Sequence, residues 1–536
     1  MGTVIVDGRE IEIQDGERLN GIEAAQRVGV EVPHYCWHPG LSVVASCRMC
    51  LVETGRRDPE TGKIAMLNKL VPACQTPATD GTVFVTDSDK VKAARAMVEE
   101  DLLLRHPIDC PICDKSGECR LQDYHFLHGQ EQRRADIKPF SSRRRDLGDT
   151  ITLFVDRCIM CTRCVRFCRE VTETSELMVV NRGSHEEIDV FEGVPLDNPM
   201  TGNVVDLCPV GALGDKDFLY SQRVWFMTRH AHVCAGCATG CSIFIEENQD
   251  RIYRLKPREN LDINRWWMCD EGRYGWKHIH DDRRWVHPQR RLDGRWQALE
   301  WSAAIEQLDE AVRGAACPAI VLSPHLTVEE AYLLSRYVRE VQPAATWVLG
   351  PIPERGEDTS FANGLTIRRE KCPNRRGVQE IIGHIGGQVI TWDTWCDGLQ
   401  EENKHDLVWI AGGYKTNWND ESTAQLLGGV DQLIVQDLFD SPVASRATWQ
   451  LPAATWAEKS GSFVNQSGRL QAFSWAIRPP QGVLGDGPLY WRLGGHDGLY
   501  DAARVRAQVA REIVFFAPAS DEVPSTGVDL RINQLA

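Results

Sequence analysis

Apolar and polar positions alternate from residue 3 to residue 13, with Val4 and Val6 ahead of Asp7-Gly8 and Ile11 and Ile13 behind it. A period of two on both sides of a D-G pair predicts a two-stranded hairpin. Over residues 19–28 the apolar spacing changes to that of a short helix. A hairpin followed by a helix is how a small β-grasp domain begins. Residues 55–63, GRRDPETGK, are polar and predict a surface hairpin. Asp87 and Ser88 can cap a helix to about residue 104, with Val91, Ala94, Val98 and Leu102 on one face. The polar, basic stretch 131–148, with Arg143, Arg144 and Arg145, predicts a solvated linker or subunit contact.

Beyond about residue 283 the pattern changes. Apolar, β-rich segments at 319–322, 346–349, 407–411 and 433–436 alternate with helical ones. One helix opens with a capping box formed by Thr327 and Glu330. Strands alternating with helices predict an α/β domain with a mainly parallel sheet.

Composition narrows the function. The 536 residues suffice for about three to five domains. A net charge of -16 argues against a nucleic-acid binder. No stretch approaches the ~18 apolar residues of a membrane span, and the first residues lack the basic start and apolar run of a signal peptide. The expectation is a soluble protein.

Cysteine changes the picture most. Of 19, sixteen fall between Cys36 and Cys269, leaving Cys317, Cys372 and Cys396. Without an export signal, dense C-x2-C spacing points to metal binding rather than disulfides. Zinc ribbons also use C-x2-C pairs, but rarely the repeated three-Cys runs seen here. The central run, RCIMCTRCVRFCRE, places Cys158, Cys161, Cys164 and Cys168 at C-x2-C-x2-C-x3-C. In such runs the fourth ligand of a 4Fe-4S cluster precedes a proline. Cys168 precedes Arg169, whereas Cys208 precedes Pro209, so Cys158, Cys161, Cys164 and Cys208 form one set and Cys168 is spare.

Three further sets follow from spacing. Cys36, Cys47, Cys50 and Cys74 resemble the arrangement around a 2Fe-2S cluster, without need of the flanking His34 and His38. Cys110, Cys113 and Cys119 lack a fourth thiolate, and His106 at H-x3-C-x2-C-x5-C completes them. A neutral imidazole in place of a thiolate should raise that cluster's potential. Cys234, Cys237, Cys241 and Cys269 form the last set. The four sets account for fifteen of the first sixteen Cys, with His106 as the sixteenth ligand. Most of Arg157, Arg163, Arg166 and Arg169 are expected to be surface charges. No G-x-G-x-x-G follows a strand and no P-loop occurs, so electrons should come from a partner.

These motifs in this order resemble the large iron-sulfur subunit of bacterial complex I, the NADH-quinone oxidoreductase G chain, over residues 1–281. The resemblance extends more weakly into LPAATWAEKSGSFVNQSGRLQ, residues 451–471, which is similar to the molybdopterin-oxidoreductase family. It implies a multidomain α+β and α/β chain. The parts are a 2Fe-2S ferredoxin-like β-grasp domain (1–87), a His-Cys 4Fe-4S domain (88–130) and a 4Fe-4S ferredoxin-like domain (150–222). A 4Fe-4S domain of molybdopterin-oxidoreductase type (227–283) and a shortened molybdopterin-oxidoreductase-like α/β domain (284–536) follow.

The resemblance further implies one 2Fe-2S cluster, three 4Fe-4S clusters and no molybdenum. Electrons would arrive from the flavin-bearing NADH-oxidising subunit, pass the Cys36, Cys158 and His106 centres, and leave to a two-cluster ferredoxin-like subunit on the way to quinone. The Cys234 centre would lie off this path. The expected location is peripheral, on the cytoplasmic face of the bacterial inner membrane, within a proton-pumping complex. Two alternatives are a wiring subunit of an NAD-linked hydrogenase or formate dehydrogenase, and a molybdenum enzyme using Cys372 or Cys396.

Overall fold

The computed structural model describes residues 2–183, 185–362, 364–401, 405–520 and 522–531. The chain forms two compact units, Met1–Met227 and Thr228–Ala536.

In the first unit β1 (Gly2–Val6) and β2 (Arg9–Ile13) pair antiparallel about Asp7-Gly8, as the alternation predicts. Helix α1 (Gly21–Arg27) starts two residues later than the apolar period suggests. The reason is the cap: Asn20 accepts from the amides of Ile22 and Glu23, and Glu23 accepts from the Asn20 amide. Strands β3 (Leu51–Arg57) and β4 (Ile64–Pro72) flank the polar 58–63 turn, and β5 (Thr82–Val85) joins them in a five-stranded sheet of order β2-β1-β5-β3-β4.

Helix α2 (Asp89–Leu103) has Ser88 as its cap. Its buried face differs from the expected one: Val91 and Ala94 are buried with Arg95 and Glu99, while Val98 and Leu102 are half-buried. Glu99 is accommodated because the Tyr35 hydroxyl donates to it, and burial pushes its carboxyl up to about 7.

Helix α3 (Arg120–His128) follows. Next comes a three-stranded sheet formed by β6 (Arg144–Asp146), β7 (Ile151–Phe154) and β8 (Leu213–Asp215), with α4 (Arg163–Glu170) and α5 (Asn203–Leu207) between β7 and β8. The basic stretch is mostly exposed, as expected, and ion pairs tie it down. Arg143 pairs with Asp156 and Glu187, and Arg145 with Glu187 and Asp189.

The second unit opens with the antiparallel strands β9 (Thr228–Val233), β10 (Ser242–Asn248) and β11 (Arg251–Pro257), then the short α6 (Asp270–Tyr274). Its main sheet has eight strands. In chain order these are β12 (Gln289–Leu292), β13 (Arg295–Ala298), β14 (Pro318–Leu322), β15 (Thr346–Leu349), β16 (Ile390–Thr391), β17 (Leu407–Ala411), β18 (Gln432–Asp437) and β19 (Trp449–Pro452). The spatial order is β13-β12-β19-β18-β17-β14-β15-β16. The six strands from β19 to β16 run parallel, and β12 and β13 complete one edge antiparallel. Parallel strands are covered on both faces and read as continuous apolar runs. Accordingly Ile320, Leu322 and Trp409 face one core, and Ala319, Val321 and Val408 the other.

Helix α7 (Val328–Val341) carries the expected Thr327–Glu330 capping box. Beyond the main sheet, β20 (Gly461–Val464) pairs with β21 (Arg469–Phe473). These two strands knit residues 228–283 to the rest of the unit. Phe463 and Phe473 pack with Val233 and Ala235. Gln471 donates to the Gly240 carbonyl at 2.6 Å and accepts from Ser242 Oγ at 2.8 Å.

Buried ion pairs lie behind this junction. Arg284 makes a two-pronged contact with Glu458 at 2.6 and 2.7 Å, and Lys459 meets Glu330 at 2.8 Å. Among the described residues, no helix is long and apolar enough to cross a membrane.

Removing one partner of a buried pair leaves an uncompensated charge, at a cost of about 3–5 kcal/mol. Arg284→Met is therefore expected to destabilise the second unit by that amount in urea titrations followed by tryptophan fluorescence. Arg284→Met with Glu458→Leu should recover most of it. A loss below about 1 kcal/mol for the single variant would contradict the pairing.

Candidate metal centres

The Cys36 set is built by two loops. Cys36, Cys50 and Cys74 are buried and Cys47 half-buried. The Cys36 sulfur lies within hydrogen-bonding reach of Cys47 and Cys74, and Cys50 within reach of Cys74. The backbone amides of Ser46 and Cys47 also face the Cys36 sulfur. The loop achieves this by strain: Ala45 and Arg48 have φ of 50° and 59°, the left-handed region that non-glycine residues rarely occupy. Bonds from Cys47 and Cys74 hold Cys36 below the usual thiol range, and a bond from Cys74 lowers Cys50 as well. His34 and His38 are otherwise engaged. The His34 Nδ1 bonds the Val32 carbonyl at 2.8 Å, and the Gly40 amide donates to His38 Nδ1 at 3.1 Å.

In the central set, Cys158, Cys161, Cys164 and Cys208 line one small cavity whose other walls include Leu153, Ile188, Val210 and Leu213. The wall is almost wholly apolar. Burial, then the charges of Cys161, Cys158 and Cys208, raise the Cys164 thiol well above its usual range. Burial likewise raises Cys158 and Cys161, so these three are poor thiolates on their own, and a bound cation or cluster would relieve the repulsion. Met160 and Thr162, between the ligands, have φ of 52° and 57°, and the Met160 amide points at Cys158 Sγ, 3.4 Å away. Cys168 is outside this cavity. It is buried, and burial with Glu176 nearby pushes it up to about 12.

The His106 set lies beside the central one. Gly211, three residues past Cys208, runs so close to Cys113 that a Cβ there would stand 2.1 Å from Sγ. Any larger residue at 211 would separate the two sets. Cys119 caps α3, and the Cys113 charge acts on it. Arg157, only 3% exposed, pairs with Asp109 at 2.9 Å and stacks over Phe154 at 4.0 Å. Burial, then the Arg157 charge, lower His106 to about 4, leaving a neutral imidazole at physiological pH. Neutral imidazole is the ligating form. Cys110 is exposed, the only ligand-set thiol among the described residues that is.

The fourth set is buried throughout. The Gly236 amide faces Cys234 Sγ at 3.4 Å, and the Gly272 amide faces Cys269 Sγ at 3.3 Å. A Cβ on Gly272 would lie 3.1 Å from Cys234 Sγ and 3.5 Å from Cys269 Sγ, so this glycine sits between the two sulfurs. Burial, then Cys234, Cys237 and Cys269, raise Cys241 well above the usual range. Among the described residues no three His, Cys, Asp or Glu side chains converge on the position of a single ion.

Contrary to expectation, most of the arginines around the central run are not exposed surface charges. Arg169 is exposed, but Arg157 and Arg166 are buried and Arg163 half-buried, each donating to backbone carbonyls around the ligand loops. The available signal was position: Arg163 and Arg166 share a helix with the ligand Cys164. Cys372 is buried, 3.5 Å from Glu370, and Cys396 is half-buried.

Five family models match the chain. A 2Fe-2S iron-sulfur cluster binding domain covers residues 2–89, and the NADH-ubiquinone oxidoreductase-G iron-sulfur binding region covers 95–134. The ferredoxin-like domain of NADH-quinone oxidoreductase subunit 3 covers 148–214. The molybdopterin oxidoreductase Fe4S4 domain covers 227–281, and molybdopterin oxidoreductase 394–483. The G subunit of NADH-quinone oxidoreductase from Rickettsia typhi is 36% identical over 58% of this chain and 44% of its own length. The chain therefore aligns with less than half of that relative. The G subunit from Rickettsia felis is 33% identical over 96% of this chain and 90% of its own. A chain from a crystal structure of NAD+-reducing [NiFe]-hydrogenase is 28% identical, with a TM-score of 0.35, over 42% of this chain and 91% of that one. With a full-length relative on one side and iron-sulfur domain models along the first 281 residues on the other, the chain belongs to the family of NADH-quinone oxidoreductase G subunits.

Proposed function

We propose that this chain is an iron-sulfur electron-carrying subunit of a proton-pumping NADH-quinone oxidoreductase, taking electrons from a flavin-bearing NADH-oxidising subunit. What supports the reading is the spacing of fifteen cysteines and His106 along the sequence, together with the one cavity that Cys158, Cys161, Cys164 and Cys208 line. Cys36, Cys47, Cys50 and Cys74 would hold a 2Fe-2S cluster. His106 with Cys110, Cys113 and Cys119 would hold a 4Fe-4S cluster, as would Cys158, Cys161, Cys164 and Cys208, and Cys234, Cys237, Cys241 and Cys269. When bound, such clusters accept and release single electrons without proton transfer or a nucleophile.

The chain's own residues do the rest. Apolar walls such as Leu153, Ile188 and Val210 keep water from the central sulfurs. Backbone amides at Met160, Gly236 and Gly272 face Cys sulfurs and favour negative charge there. The His106 set is the one open to a partner, with Cys110 exposed between Ile108 and Ile112, which are 78% and 58% exposed. An apolar rim around an accessible ligand suits docking by the two-cluster ferredoxin-like subunit that would take the electron. The second unit's eight-stranded sheet acts as scaffold for the Cys234 set and for neighbouring subunits. The assembly would lie on the cytoplasmic face of the bacterial inner membrane.

Two experiments test the assignment. His106→Cys replaces a neutral ligand by an anionic one, so the midpoint potential of one centre should fall in an EPR-monitored titration while the others stay. An unmoved or raised midpoint would count against His106 as a ligand. Ending the chain after residue 227 should leave three centres and about ten irons. Ending it after residue 283 should give the same three, because β9–β11 lose Phe463, Gln471 and Phe473. A fourth centre surviving in the longer piece would show that residues 284–536 are not needed to form it.

A further inference from the structure

Arg166 stands in an unusual place. It is 2% exposed on α4, midway between Cys164 and Cys168 in sequence, yet its guanidinium reaches a different ligand loop. Nη1 donates to the Ser42 carbonyl, and Nη2 donates both to the carbonyl of Cys36 and, at 3.2 Å, to that of Cys161. The fork thus touches the backbone of a residue from the Cys36 set and of a residue from the central set at once. The same helix adds two supporting ties. Arg163 donates to the carbonyls of Trp37 and Leu207, the residues next to Cys36 and Cys208, and Glu170 accepts from the Ser42 amide and hydroxyl at 2.8 and 2.6 Å.

A buried guanidinium without a counter-charge is strongly disfavoured. Among the described residues no carboxylate forms an ion pair with Arg166, and all its hydrogen-bond acceptors are carbonyls. With the clusters bound, the negative charge available to it is that of the two thiolate sets whose loops it joins. Electrostatic attraction falls only with distance and dielectric, so one buried cation between two anionic centres acts on both.

We propose that Arg166 is a positioning residue shared by two redox centres, fixing the Cys36 loop to the Cys161 loop and stabilising the reduced state of both. This rests on the cluster assignment given above. Its consequence is a common control point: one side chain raises the two midpoints together, which keeps their difference small while both move.

The test uses the full-length chain purified anaerobically with its iron. Arg166→Gln, read by EPR redox titration, should lower the reduced-to-oxidised ratio at fixed potential at least about tenfold at both the Cys36 and the Cys158 centres, which for one electron is ~59 mV. The Cys234 centre, in the other compact unit, is the internal control and should not move. Arg166→Lys keeps the charge and should stay within about threefold of wild type at both centres. Unchanged midpoints in an iron-loaded Arg166→Gln chain, or a shift confined to one centre, would overturn the proposal. If Arg166→Gln does not retain iron, Arg166→Lys decides: wild-type midpoints support the role of charge, whereas failure to load iron or a tenfold shift refutes it. A wild-type chain that carries no iron refutes the cluster assignment itself, and the role of Arg166 with it.

Discussion

Thiolate charge buried away from water is the constraint that shapes this chain. Burial raises Cys161 to about 11 and Cys234 to about 11, so bare thiols at these positions stay protonated at physiological pH. Holding them as ligands needs positive charge or oriented dipoles nearby, and the fold supplies both. Loops with left-handed residues at Ala45, Arg48, Met160 and Thr162 turn amides inward, and α4 delivers buried guanidinium groups. Glycine appears where sulfur comes too close for a Cβ, at Gly211 against Cys113 and at Gly272 between Cys234 and Cys269.

The same constraint explains why one set belongs to the second unit. Cys234, Cys237 and Cys241 lie in the loop that joins β9 to β10, and β20 and β21 pack against it from the far end of the sequence through Phe463, Phe473 and Gln471. Behind them the buried pairs Arg284–Glu458 and Lys459–Glu330 fix the strands of the junction. The long α/β region is then a support whose large parallel sheet makes a rigid back wall for a metal centre.

Much of this was legible in the sequence. The hairpin about Asp7-Gly8, the Ser88 cap, the Thr327–Glu330 box and the apolar strands 318–322 and 407–411 each follow from a local rule. The grouping of Cys158, Cys161, Cys164 and Cys208 around one cavity was legible in cysteine spacing, and Cys168, set aside for want of a following proline, lies outside that cavity. What periodicity could not reveal was long-range burial of charge. Arg95 and Glu99 occupy the buried face of α2 because Tyr35, far away in sequence, offers Glu99 a hydroxyl. Arg157 and Arg166 read as surface residues because their partners, the Asp109 carboxylate and Gly211 carbonyl for Arg157 and the Cys36 carbonyl for Arg166, lie about 50 and 130 positions away. Gly211 and Gly272 likewise gain meaning only from the sulfur beside them.

The central claim is that the four sets hold iron-sulfur clusters. Metal analysis combined with EPR of the anaerobically purified, dithionite-reduced full chain tests it most directly. The account predicts about fourteen irons per chain, no molybdenum, and overlapping 2Fe-2S and 4Fe-4S signals. A colourless chain carrying zinc in the same cysteine sets would contradict it.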